Sequence, residues 1–172
     1  VDSIQFFDTI LHPGDAITTQ ERGVEHSVEV KHVPPILLVK EEEMLSKEEA
    51  RSRLGVPQSA EVWYVQLGAG QINDIESEIR LTIDALLEHN SELFIVIGES
   101  LLGKRVSFSN ERVRILRDYP NAIYFKGFDY SIQAGGYNSF HEMRSSQIPT
   151  IFYPNMNTGM DNQFARCKVG EQ

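Results

Sequence analysis

Short apolar runs alternate along the chain with segments in which apolar residues recur at helical spacing. Residues 75–87 carry one apolar stripe, which predicts a helix packed on a sheet, with Asp74 as its N-cap. Residues 121–128 fit either a strand or a short helix. The runs short enough to be buried strands are residues 62–67, 92–98, 112–116, 130–133 and 148–154. Strands alternating with helices predict an α/β fold, a Rossmann-like parallel sheet with helices on both faces and ligands at the carboxyl ends of the strands.

Residues 131–166 combine a strand, a glycine turn, a helix, a second strand and a polar loop. Gly135 and Gly136 allow a sharp turn and the close approach of a ligand to the backbone. Asn138 and Ser139 are favourable helix-start residues, so a helix is predicted from about Ser139. Because the first amides of a helix lack partners and carry partial positive charge, this junction predicts an anion site suited to a phosphate or diphosphate.

Glu142 has two interpretations. Ser139 and Glu142 fit the S-x-x-E capping-box pattern, in which the glutamate only closes the start of the helix. Alternatively, a carboxylate one turn into the helix can accept hydrogen bonds from the vicinal hydroxyls of a ribose, as acidic residues do in dinucleotide-binding folds. These residues alone leave both interpretations open.

A second small-residue loop, which contains Gly68 and Gly70, follows the first predicted strand. A dinucleotide fingerprint would need a third glycine where Asn73 stands, and no G-K-[ST] follows. Neither the G-x-G-x-x-G motif nor the P-loop is therefore present. The loop is either a tight strand-to-helix turn or a further part of the ligand site.

Charge and composition exclude several partners. The 172 residues include 16 basic and 25 acidic side chains, and the net charge of −9 argues against nucleic acid and against broad adhesion to anionic lipid, although a local patch can still touch a membrane. Cys167 is the single cysteine, so no intrachain disulfide or thiolate metal cluster is expected, as in a reducing compartment. No apolar run approaches the roughly 18 residues of a transmembrane helix, and no signal peptide is recognised, so a cytoplasmic protein is expected.

The segments AGGYNSFHE, IPTIFYPN and TGMDNQFAR together resemble the donor-binding, C-terminal domain of the metal-independent GT-B glycosyltransferases. The pattern is most similar to that of the lipid II-forming N-acetylglucosaminyltransferase and the monogalactosyldiacylglycerol synthases. It is tight over residues 128–166 and looser over the rest of residues 61–172. The expected fold is therefore one half of a GT-B fold.

The resemblance implies a role for each matched position. The implied donor-diphosphate contacts are Gly135, Gly136, Asn138, Ser139, Gly68 and Gly70, the implied ribose contact is Glu142, and the implied donor-sugar contacts are Asp161 and Gln163. Ala134 stands where many relatives have His or Arg, so the helix amides would carry more of the phosphate charge. No cofactor and no metal are implied. In agreement, the sequence has no D-x-D pair, and helix amides can stabilise a leaving diphosphate.

The same resemblance divides the chain into parts. Residues 1–38 would be the end of a preceding domain and the interdomain crossover, residues 39–60 a linker helix, and residues 61–172 a nucleotide-sugar-binding domain truncated at its C-terminus. In the linker, Ser46 and Glu49 predict a capping box for a short helix that Gly55 closes. The missing N-terminal domain would hold the acceptor and supply the catalytic base, so no catalytic residue is assigned in this fragment, which alone is expected to be inactive.

The implied activity is inverting transfer of a hexosyl group from a UDP-sugar to a lipid or small-molecule acceptor. The expected partners are the nucleotide-sugar and the missing acceptor domain or a partner chain, and the acceptor domain could bring the protein into peripheral contact with a membrane. Two alternatives remain: a non-catalytic nucleotide-binding subunit of a two-chain transferase and, more weakly, a UDP-sugar epimerase fragment. His141 is predicted to pack or to lie at the surface. Arg166 and Lys168 could add positive potential near the phosphates, but the simpler prediction is that they are solvated or pair with a helix C-terminus.

Overall fold

Strands and helices alternate through most of the chain. The structure is a computed structural model that describes residues 6–17, 28–68, 75–99, 105, 107–156 and 161–170. Its strands are β1 (Thr9–Pro13), β2 (Glu29–Val33), β3 (Val62–Gln66), β4 (Phe94–Gly98), β5 (Val113–Leu116), β6 (Tyr130–Ala134) and β7 (Thr150–Tyr153). Its α-helices are α1 (Lys47–Leu54), α2 (Ile75–His89), α3 (Tyr137–Ser146) and α4 (Gln163–Gly170), and 3-10 segments cover Glu41–Glu43 and Asn121–Gly127.

The five strands β3 to β7 form one parallel sheet in the order β5-β4-β3-β6-β7. Each of the five predicted apolar runs coincides with one of these strands, although β6 extends one residue beyond its predicted run, to Ala134. The predicted α/β, Rossmann-like class is therefore confirmed. Residues 121–128, which fitted either a strand or a short helix, are mostly 3-10 helix.

Each face of the sheet is covered by its own apolar core. Tyr64 of β3 faces one core, which it shares with α1, α3 and the 3-10 segment Asn121–Gly127. Val65, the next residue, faces a second core, in which Ile79 and Ile83 of α2 are 6% and 4% exposed. Strands buried on both faces are typical of parallel sheets. The apolar stripe predicted for α2 is thus confirmed at these two positions, whereas its predicted N-cap, Asp74, lies outside the described residues.

Helix α1 begins and ends as its sequence predicts. Ser46 Oγ accepts a hydrogen bond from the Glu49 amide, and the Glu49 carboxylate accepts one from the Ser46 amide, both at 3.2 Å. The helix ends at Gly55, which has the left-handed φ of 65°. Arg51 of α1 is 1% exposed and pairs with Asp129 at 2.6 Å, which fixes α1 to the segment that enters β6.

Helix α3 begins two residues before Ser139, so the capping box predicted for Ser139 and Glu142 is wrong. Its first residue is Tyr137, its N-cap is Gly136, and no side chain caps it. Glycine is an acceptable N-cap residue, and the first helical residue is held by a tertiary contact: the Tyr137 hydroxyl donates a hydrogen bond at 2.8 Å to the Gly14 carbonyl. Ser139 therefore lies inside the first turn of the helix, and Glu142 does not close its start.

The two N-terminal strands form a separate parallel pair. Strand β1 pairs with β2 from Thr9 opposite Glu29 to Pro13 opposite Val33. Residues 18–27 of their connection lie outside the described residues. The residues just after β1 contact α3 and α4, as described below, so this pair lies against the carboxyl edge of the main sheet.

Candidate functional site

The strand order of the main sheet reverses between β3 and β6. The chain runs outward from β3 through β4 to β5, then returns to the other side of β3 with β6 and continues to β7. In open parallel sheets, ligands bind at such a switch point, outside the carboxyl ends of the strands. Gly68 comes shortly after β3, and Gly135 and Gly136 directly follow β6. Both predicted glycine turns thus begin at the switch point, although Gly70 lies outside the described residues.

The glycines of these turns meet different physical needs. Gly68 is exposed and has a φ of 107°, which residues with side chains rarely adopt. Gly135 is buried, and a Cβ there would overlap the Cys167 Sγ of α4 and lie 3.2 Å from the Gln163 carbonyl oxygen. Among the described atoms, a Cβ at Gly136 would meet only Gln163 Nε2, at 3.9 Å. Gly135 is therefore required by the packing of α4, and Gly136 is the glycine that leaves room beside the backbone.

Helix α3 presents an open N-terminus at the switch point. The amide of Phe140 donates to the Gly136 carbonyl at 2.9 Å, which is the first hydrogen bond of the helix. The amides of Tyr137, Asn138 and Ser139 precede it and have no acceptor within the helix. Asn138 is exposed and Ser139 is half-buried. These donors and the positive end of the helix dipole can together bind an anionic group.

Glu142 lies one turn into α3 and has no hydrogen bond or ion pair with any described residue. Its side chain is half-buried, and burial raises the pKa of its carboxyl to about 7. Burial, and to a smaller extent the charge of Glu142, raises the pKa of the Tyr64 hydroxyl on β3. Glu142 is therefore close to the sheet, and its carboxyl group lacks the partner that a capping box would have given it.

Polar side chains occupy the same sheet face as Tyr64 at the carboxyl ends of β3 and β6. The Tyr64 hydroxyl accepts a hydrogen bond from Asn121 Nδ2 at 3.0 Å and donates one to Gln66 Oε1 at 3.1 Å. Gln133 lies opposite Gln66 in the register and is fully buried, yet neither polar atom of its side chain has a partner among the described residues. Sequence reasoning missed this cluster. The sequence feature that could have indicated the cluster is a glutamine near the end of each of two apolar strands.

The two predicted sugar-binding residues lie at the start of α4. Gln163 is 9% exposed, and its Oε1 accepts a hydrogen bond from the Asn155 amide at 2.9 Å. Its Nε2 lies beside the glycine turn, close to Gly136. Asp161 forms an ion pair with Arg166 at 2.7 Å. The structure therefore brings Gln163 next to the predicted diphosphate site and holds Asp161 through Arg166.

Arg166 is buried, which contradicts the prediction that it is solvated or pairs with a helix C-terminus. It is 2% exposed and bonds to Asp15, Asp161 and the Gly135 carbonyl. Burial lowers the pKa of Arg166, but the bonds to the two carboxylates outweigh burial and raise it above its ordinary value. The prediction is wrong because Asp15, a dominant partner, lies 151 residues away in the chain.

His141 joins the same cluster from α3. The residue is 8% exposed, and the centroid of its ring lies 4.6 Å from the centroid of the Tyr137 ring. This contact confirms the packing role predicted for His141. Its Nε2 lies 3.1 Å from Asp15 Oδ1. Burial raises the pKa of Asp15, but hydrogen bonds from Arg166 and His141 outweigh it, so the net effect is a pKa below the usual value. Lys168 instead lies at the surface, with Nζ 4.5 Å from the Phe164 ring.

Two surface depressions lie away from the switch point. One is beside α1, and the other is at the amino edge of the sheet, between residues 125–130 and 146–149. Neither contains a predicted site residue. Within the described ranges, no three His, Cys, Asp or Glu side chains form a group that could hold a metal ion. No helix in this part of the chain is long and apolar enough to cross a membrane.

Comparison of the chain with protein-family models gives no match, and comparison with curated proteins gives none either. Function is therefore inferred from the geometry of the switch point and from the motif resemblance.

Proposed function

We propose that this chain provides the donor-nucleotide site of a metal-independent, inverting GT-B glycosyltransferase that transfers a hexosyl group from a UDP-sugar. The observation that carries the proposal is the combination of α3 and Glu142 at the switch point. The helix starts there without a side-chain cap, and one turn later Glu142 has no partner among the described residues. An anionic diphosphate and the vicinal hydroxyls of a ribose are the chemical groups that these two features fit.

The spacing of the two features supports a nucleoside diphosphate rather than a free phosphate. Glu142 lies four positions after Asn138, which corresponds to about one helical turn, or roughly 6 Å along the axis. The ribose of a nucleoside diphosphate carries two ring hydroxyls and, through its C5′ methylene group, the diphosphate, so one nucleotide can reach both features. A free phosphate would use the helix amides and leave Glu142 without a partner.

The residues beside the turn suit the sugar end of the donor. Gln163 lies next to Gly136. Asp161, two residues before Gln163, is held by its ion pair with Arg166. Amide and carboxylate groups are hydrogen-bonding partners for sugar hydroxyls. Under this proposal the amides of α3 stabilise the charge that develops on the leaving diphosphate. The acceptor and the catalytic base are assigned to the domain that completes a GT-B enzyme.

A calorimetric titration with UDP, with ADP and GDP for comparison, tests the proposal. We expect UDP to bind selectively, and Glu142→Ala to lower its affinity at least about tenfold, because charge-assisted hydrogen bonds contribute about 1.5–3 kcal/mol. Glu49→Ala is the matched control, since Glu49 is a glutamate in a real capping box. It should destabilise α1 and leave UDP affinity unchanged. Absence of UDP binding, or equal binding by wild type and Glu142→Ala, would contradict the proposal.

A further inference from the structure

Arg166 uses every hydrogen-bond donor of its guanidinium group inside the protein. Its Nε and Nη2 donate to the two carboxylate oxygens of Asp15 at 3.0 and 2.7 Å. Its Nη1 and Nη2 donate to the two oxygens of Asp161 at 3.1 and 2.7 Å, and Nη1 also donates to the Gly135 carbonyl at 2.8 Å. A guanidinium group has five N–H donors in a rigid fork. These five bonds leave Arg166 no donor for a ligand.

The partners of Arg166 come from three separate segments. Asp15 follows β1, Gly135 begins the glycine turn, and Asp161 precedes α4. Paired bonds from a planar fork fix the orientation of each carboxylate as well as its distance. The two carboxylates carry one more unit of charge than the guanidinium group, so the contribution of Arg166 to a neighbouring phosphate site is geometric rather than electrostatic.

We propose that Arg166 is a positioning residue of the donor site and that Asp15, from the N-terminal segment, completes the site by holding Arg166. This inference rests on the proposed function. Arg166 orients the Asp161 carboxylate, which is assigned to the donor sugar, and the Gly135 peptide, which leads into the open end of α3. Loss of the Asp15 carboxylate removes the paired contact that fixes the guanidinium, so both groups lose their alignment.

A matched clamp lies at the other end of the same strand. Arg51 is also almost fully buried, pairs with Asp129 at 2.6 Å, and donates to three backbone carbonyl oxygens, including that of Gly127. Asp129 immediately precedes β6, whereas Gly135 immediately follows it. Removing the carboxylate charge from either clamp leaves a buried arginine poorly paired and destabilises the fold. Only the Arg166 clamp, however, touches the proposed site.

The test compares Asp15→Asn with Asp129→Asn in the full chain, at a temperature where both variants are folded. Affinities for UDP and for UDP-glucose, UDP-galactose and UDP-N-acetylglucosamine are measured by calorimetry. Hydrogen exchange is followed in residues 134–142 and 161–166. We expect Asp15→Asn to weaken the best-bound UDP-sugar about tenfold, the effect of losing one charge-assisted bond, and to weaken UDP less. Exchange in both segments should rise in Asp15→Asn alone.

Unchanged affinity and unchanged exchange in Asp15→Asn, or equal changes in Asp129→Asn, would overturn the inference. If Asp15→Asn does not fold, Asp15→Glu is used in its place, because it keeps the charge but displaces it by one methylene group, and the same changes should appear in weaker form. If the wild type binds no UDP or UDP-sugar, the proposed function fails. The exchange comparison then still decides whether Asp15 positions the glycine turn.

Discussion

Burial of Glu142 makes the stability of the folded chain depend on pH. Its carboxyl pKa rises from 4.5 to about 7 on folding. Because the folded state then binds the proton more tightly than the unfolded state, protonation of Glu142 stabilises the fold. This stabilisation is complete below pH 4.5 and is lost as the pH rises through about 7. At about 1.4 kcal/mol for each unit of pKa, the loss is on the order of 3 kcal/mol.

The substitution Glu142→Gln isolates this effect, because the amide has nearly the same shape and does not titrate. Urea unfolding is followed by the fluorescence of Trp63, the single tryptophan, which stacks on Tyr130 at 4.8 Å. Other groups titrate in both proteins, so their contributions cancel in the difference between the two free energies of unfolding. We expect this difference to move in favour of Glu142→Gln by roughly 3 kcal/mol between about pH 4 and pH 8.

A difference that stays constant over this pH range would refute the reasoning, since it would mean that the Glu142 carboxyl is well solvated or paired in the folded chain. Glu49→Gln provides a control of opposite sign. The backbone and hydroxyl hydrogen bonds from Ser46 lower the pKa of Glu49. The stabilisation from Glu49 is therefore present above its unfolded pKa and is lost as the pH falls. The difference in free energy of unfolding between wild type and Glu49→Gln should accordingly shrink towards low pH.

Two further predictions concern the helix start and the glycine turn. Ser46→Ala should lower the free energy of unfolding by about 1 kcal/mol because Ser46 is a cap, whereas Ser139→Ala should cause no such loss. If urea unfolding showed that Ser46→Ala and Ser139→Ala lose the same free energy of unfolding, α3 would start near Ser139. Gly135→Ala should cost about 1–3 kcal/mol and speed the reaction of Cys167 with thiol reagents, because the new Cβ displaces α4. Gly136→Ala, which meets no close atom, is its control; equal effects of the two substitutions would contradict the packing role of Gly135.

The elements with local signals could be predicted from the sequence. Strand β3 and the stripe of α2 are defined by apolar residues only a few positions apart, and α1 by a cap and a closing glycine within ten residues of each other. The start of α3 was not predictable in this way, because the Ser139 pattern competes with Gly136 only a few residues away. The earlier start is accompanied by the bond from Tyr137 to Gly14, which lies 123 residues distant and which no local pattern indicates.

The candidate site likewise contains residues that a local sequence pattern predicts and residues that only distant contacts bring together. The glycine turn and Glu142 form one continuous motif, so the sequence points to them directly. Asp15 and Arg166 are ordinary charged residues until the fold brings them together, and nothing in their immediate neighbours indicates burial. Gln133 gave only a weak signal, because a single glutamine at the end of an apolar run also fits an exposed strand end.

The polar groups left unpaired at the switch point favour a ligand over a purely structural role. Buried polar groups in folded proteins are nearly always paired, yet the side chain of the buried Gln133 has no partner in the described part of the chain, and the half-buried Glu142 carboxyl has none there either. Replacement by apolar residues would remove this cost, and both side chains lie at the usual ligand position of a parallel sheet, as the proposed function requires. A ribose that donates hydrogen bonds to Glu142 would supply the partner its carboxylate lacks and would lower its pKa. Nucleotide binding would then offset the destabilisation that ionised Glu142 causes, so the same residue would link the stability of the fold to occupation of the site.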